Sequence, residues 1–171
     1  MSRRDGFRIL LDTTIILDAV CPARPQSKEA CLVLRRCSSE GDMGFVTSGS
    51  LKDAYYVLSK QYGEPAARAA VHHLMGLLVV APTSAEDCLM SLESNEPDFE
   101  DGLIRACAEL NDMDFIITRN EAAFRKSKVR AVDCAEYLSI CDEADADLLA
   151  RLGFSPNALA RTPLSSQAPR R

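Results

Sequence analysis

A chain of 171 residues, 47% hydrophobic and 26% charged, has the size and composition of one globular domain with a sizeable core. Its apolar runs stop short of the ~20 residues of a membrane span, and the N-terminus "MSRRDGFRILL" lacks the long apolar run and small-residue cleavage site of a secretory signal, which predicts a cytoplasmic protein. The net charge of −5 argues against a protein that grips nucleic acid by bulk charge alone, but not against an enzyme whose acids are neutralised by bound divalent cations.

The first predicted element is a strand, Phe7–Leu11, apolar on both sides of a single Arg, as suits a strand covered on both faces. It runs straight into Asp12. A carboxylate there is either the N-cap of the short helix predicted over Ile15–Val20 or a metal ligand at the carboxyl end of a strand. A helix follows over Gln26–Ser39, with Ala30, Leu32, Val33 and Leu34 as its apolar residues. The strand Gly44–Thr47 leads to the helix Leu51–Tyr62, whose stripe is Leu51, Tyr55, Leu58 and Tyr62. Asp53 lies roughly opposite that stripe, so the core does not claim it.

The helix Glu64–Leu77, with Ala67, Ala70, Val71, Leu74 and Met75, precedes the strand Leu78–Ala81 and a shorter helix, Ala85–Leu92. "PDFEDGLIRACAEL" then opens a helix over Asp98–Leu110 that stacks Phe99, Leu103, Cys107 and Leu110. Asp98 and Asp101 share another face, where they serve either as helix-start acids or as ligands. The strand Phe115–Thr118 ends in Arg119, Asn120 and Glu121, and a last strand covers Val129–Val132. After Ala135–Ser139 a last helix is predicted around Asp142–Leu152, and periodicity is lost in "SPNALARTPLSSQAPRR". The division this predicts is a domain over 1–140, a helical extension over 141–155 and a disordered tail over 156–171.

Strands alternating with helices imply a parallel sheet with helices on both faces. In such a sheet Asp12, Asp53 and the residues after Thr118 all fall at the strand tips of one edge or just beyond it. Carboxylates gathered there repel one another unless a cation intervenes, and oxygen ligands without His or Cys select Mg²⁺ or Mn²⁺ over zinc. The seven cysteines form no CxxC pair and read as reduced thiols, while the adjacent His72 and His73 point to different faces of a helix.

The run "LLDTTIILD" resembles the opening motif of the PIN-domain nucleases, a family that includes many toxin ribonucleases of bacterial toxin–antitoxin pairs. "SLKDAYYVLSK" resembles the helix bearing that family's second acid, and "PDFEDGLIRACAELNDMDFIITRN" resembles the run bearing its third, while "VRAVDCAEYL" resembles its closing strand and turn. The resemblance covers Arg8 to about Leu138. It implies a PIN-like three-layer sandwich with a mostly parallel sheet of about five strands.

It also implies a Mg²⁺- or Mn²⁺-dependent endoribonuclease cleaving single-stranded RNA to leave a 5′-phosphate and a 3′-hydroxyl. Asp12, Asp53 and Asp101 would be the metal ligands and Asn120 a fourth catalytic residue. Thr13, Asp98, Thr118 and Glu121 would support them, and Arg119, Arg125 and Lys126 would contact RNA. A homodimer and a small antitoxin partner follow from the same resemblance. The chain departs from the family pattern at Thr14, where Asn is typical, and at Ala123, where this branch carries Asp. The second departure keeps open an alternative, a weakened or inactive PIN-like module that binds RNA or a protein.

Overall fold

The computed structural model describes residues 6–38, 41–94 and 98–151, so the expected tail over 156–171 lies outside the described residues. Contacts divide the chain into two units, one ending at Tyr137 and one beginning at Leu138.

Ile9, Leu10 and Leu11 are each completely buried, which requires neighbours on both faces and both edges of the strand they form, β1 (Arg8–Leu11). The first unit supplies the edge neighbours through four parallel pairings. β1 lies between β2 (Met43–Thr47) and β4 (Phe115–Ile117), β3 (Val79–Ala81) flanks β2, and β5 (Arg130–Val132) flanks β4, giving the order β3-β2-β1-β4-β5. Strand order therefore reverses at β1. This is the parallel α/β sheet expected from the alternation of strands and helices.

Helices α1 (Thr13–Val20), α2 (Ser27–Ser38), α3 (Ser48–Tyr62) and α4 (Glu64–Leu77) pack on one another, and α5 (Ala85–Glu93) packs on α6 (Phe99–Leu110). The Thr47 side chain accepts from Ser50 N at 2.9 Å, so β2 passes into α3 without a loop. The last helix, expected around Asp142–Leu152, begins earlier, as α7 (Cys134–Arg151), because no Gly or Pro interrupts the run. The part of α7 beyond Tyr137 belongs to the second unit, where Arg151 pairs with Asp147 one turn away. No helix among the described residues is long and apolar enough to cross a membrane.

The expected α6 stripe needs correction. Phe99 and Leu110 are 47% and 39% exposed, and the buried residues are Gly102, Ile104, Ala106, Cys107 and Ala108. Ile104, Cys107 and Ala108 join Leu10, Phe45, Ile116 and Phe124 in the core, while Gly102 meets α5. A Cβ at Gly102 would stand 2.2 Å from Ser91 Oγ and 3.3 Å from Ser91 Cα. In an open helix Gly→Ala stabilises by about 1 kcal/mol. Here the clash outweighs that gain, so Gly102→Ala is expected to destabilise by about 1–3 kcal/mol, read as a lower urea midpoint.

All seven cysteines are free, and two of the buried thiols resist ionisation. Burial pushes the Cys107 thiol up to about 12, with the charge of Asp87 adding, and Cys134 likewise to about 12, with Asp133 adding.

Candidate active site

The register that pairs Leu11 with Ile117 makes Asp12 and Thr118 the next residues at the carboxyl ends of β1 and β4, where strand order reverses. This is the crevice where open α/β sheets hold ligands. Asp12 N donates to Ile117 O at 3.0 Å, continuing the ladder by one step. The two side chains meet there although 106 positions separate them in sequence: Thr118 Oγ1 donates to Asp12 Oδ2 at 2.8 Å.

Asp12 occupies the N-cap position of α1 but makes no side-chain cap hydrogen bond. Its Oδ2 accepts a second hydroxyl, that of Thr14, at 3.1 Å, and no donor to Oδ1 is found among the described residues. The residue as a whole is 6% exposed. A buried acid held by two hydroxyls on one oxygen is oriented and has coordination capacity left on the other. Thr118 is completely buried and accepts from Asn120 N at 3.0 Å, which ties the turn after β4 to the same point.

Two further helices bring acids to this edge. Asp98 caps α6 by accepting from Glu100 N at 2.8 Å, so its carboxylate has the helix-start role. Asp101, half-buried, follows in the first turn of α6. Glu100, which the sequence reading did not single out, accepts from Thr13 Oγ1 at 2.9 Å and so ties α6 to the residue beside Asp12. Its only signal in the sequence was its place in "DFED". Asp53, half-buried on α3, is paired with Lys52 Nζ at 2.8 Å. That hydrogen bond and the charge of Asp53 raise the Lys52 pKa above its ordinary value, and the charge of Glu100 adds to the effect.

Among the described residues no three acidic, His or Cys side chains stand close enough to hold a metal ion. The donor chemistry nonetheless suits Mg²⁺ or Mn²⁺, being carboxylates and hydroxyls with neither His nor Cys, and an ammonium already lies on one of the acids. Asn120 and Glu121 are exposed, and Glu121 opens a one-turn 3-10 helix, Glu121–Phe124. Beside that turn is an open groove of about 400 Å³ lined by residues that include Glu121, Phe124, Arg125, Ser127, Val129 and Arg130. Lys126 is exposed nearby in sequence, and Arg130 is ion-paired with Glu136. Ala123 is partly buried against the core cluster, so the position where an acid is expected serves packing in this chain.

Solved structures similar to the chain include toxin and toxin–antitoxin proteins. Crystal structures similar to the chain include DNA-bound VapBC from Salmonella typhimurium (TM-score 0.59, 14% identity, 75% of this chain and 98% of that one). VapBC-1 from nontypeable Haemophilus influenzae gives 0.58 at 17% identity, covering 75% and 98%. VapC20 of Mycobacterium tuberculosis, described as a Sarcin-Ricin loop cleaving toxin, gives 0.53 at 17%, covering 63% and 86%. No curated protein matches the sequence. A PIN-domain family model matches residues 8–122. With the parallel sheet and Asp12 at its switch point, that match over most of the chain places the protein in the PIN-domain family.

Proposed function

We propose that the protein is a Mg²⁺- or Mn²⁺-dependent endoribonuclease acting on single-stranded RNA, the toxin of a toxin–antitoxin pair. The observation that carries this reading is the state of Asp12, a buried carboxylate released from capping and steadied by Thr118 and Thr14 at the sheet's switch point. Asp12, Asp53 and Asp101 would hold the cation, with Asn120 completing the set and Glu100 joining through Thr13. Bound there, a divalent ion would supply a more acidic water and neutralise charge on a phosphodiester.

The chain's own side chains supply the rest. Thr118 and Thr14 fix the rotamer of Asp12, Asp98 secures the start of α6, and Arg119 and the Arg125/Lys126 segment bind the RNA backbone. Lys52 must release Asp53 for the acids to act together. A small antitoxin partner, a homodimer and a cytoplasmic location belong to the same reading; the VapBC and FitAB complexes among the similar structures favour the antitoxin.

The Lys52–Asp53 pair and the lack of a ready three-acid cluster among the described residues favour a second reading, a module that binds RNA without cleaving it. Metal removal separates the two. With purified protein and a labelled single-stranded RNA pool, cleavage is expected to stop with EDTA and return with excess Mn²⁺. Cleavage indifferent to EDTA would overturn the metal dependence, and RNA binding with no cleavage at any Mn²⁺ concentration would overturn the enzyme reading.

A further inference from the structure

Asp18 is a completely buried acid on α1 to which the ribonuclease reading gives no chemistry. Its carboxylate is shared unequally between two guanidinium groups. Arg24 Nε donates to Oδ1 at 2.5 Å, whereas Arg119 Nη1 stands 3.5 Å from both Oδ1 and Oδ2. The close partner sits in the α1–α2 connection. The distant one follows Thr118, whose hydroxyl holds Asp12, and its side chain is 38% exposed.

A buried carboxylate is strongly destabilising without a cation beside it. Arg24 meets that need by itself, so Arg119 is tethered yet replaceable. A guanidinium also matches a phosphate with two parallel N–H donors. We propose that Arg119 is a positioning arm for the RNA backbone, parked on Asp18 until substrate arrives, and that Arg24 allows it to leave by staying behind on Asp18. The proposal rests on the ribonuclease reading, which already sets Arg119 on the RNA, and adds to it the parking contact on Asp18 and the role of Arg24.

The test measures binding of a fluorescein-labelled single-stranded RNA pool by anisotropy, with every variant built on Asp12→Asn and measured in EDTA so that the RNA stays intact. Arg119→Gln is expected to weaken binding about fivefold and to flatten the dependence of log K on log salt by about 0.7, the loss of one phosphate contact. Arg24→Gln leaves Asp18 with Arg119 as its remaining cation. It should therefore weaken binding nearly as much, and add nothing once Arg119→Gln is present. Asp18→Asn, which frees Arg119 and keeps a neutral hydrogen-bonding group, should bind RNA at least as tightly as Asp12→Asn alone.

Unchanged binding by Arg24→Gln, additive losses from Arg24→Gln and Arg119→Gln, or weaker binding by Asp18→Asn would each overturn the proposal while leaving the ribonuclease reading in place. Should the Asp12→Asn protein bind no RNA even at low salt, both fall together.

Discussion

Asp12→Asn is expected to lower Mn²⁺-dependent cleavage of single-stranded RNA by about a thousandfold, with folding stability reduced by about 1 kcal/mol or less. The two effects separate because the substitution separates charge from shape. Asn retains a carbonyl oxygen that can accept from Thr118 and Thr14, so the contacts at Oδ2 survive. It loses the negative charge, and a carboxylate beside a divalent ion in a partly dry crevice contributes roughly 4 kcal/mol, about three powers of ten in rate. Asp12→Ala gives a different pattern, since it strands the buried Thr118 hydroxyl and costs roughly a further 1–3 kcal/mol of stability. Adding Asp101→Asn to Asp12→Asn should remove what cleavage remains. Single-turnover cleavage alongside thermal melts checks both halves, and undiminished cleavage by Asp12→Asn ends the metal-site reading.

What the sequence disclosed about this site follows the range of each interaction. β1 was legible because three consecutive apolar residues before an acid describe a strand buried on both faces, and its burial bears this out. The choice between cap and ligand at Asp12 was not legible. It turns on Thr118, brought alongside by strand register and not by any local pattern. Asp98 could be read as a cap because the bond it accepts lies two residues away. Glu100 and Lys52 drew no role because long exposed side chains follow no periodicity, and their partners lie on other helices or reflect a rotamer choice. On α6 the apolar stripe misled, because the close approach of α5 at Gly102 selects a small-residue face.

Asp42→Ala is the substitution expected to cost the most stability, about 3 kcal/mol, or a fall of roughly 10 °C in Tm. Asp42 precedes β2 and its side chain is 1% exposed. Its Oδ1 accepts from Phe7 N at 3.0 Å, and its Oδ2 from Arg36 Nε at 2.8 Å and Tyr137 Oη at 2.7 Å. One carboxylate thus joins the approaches to β1 and β2, the end of α2 and the first turn of α7. Alanine leaves the completely buried Tyr137 hydroxyl without this acceptor and Phe7 N without its partner, while the Arg36 guanidinium, 26% exposed, can turn to water. Tyr137→Phe keeps the ring against Phe7 and Phe115, at 6.2 and 5.7 Å between centroids, and removes the bond to Asp42 Oδ2, so about 1–2 kcal/mol is expected. Because the two changes share a bond, the double variant should lose about 1 kcal/mol less than the sum of the singles. This network lies at the amino ends of the strands and Asp12 at their carboxyl ends. Below its lowered melting point, Asp42→Ala should therefore bind Mn²⁺ with the affinity of the unaltered protein. Calorimetric titration checks that expectation, and a melting point within a degree or two of the parent would refute the network's role.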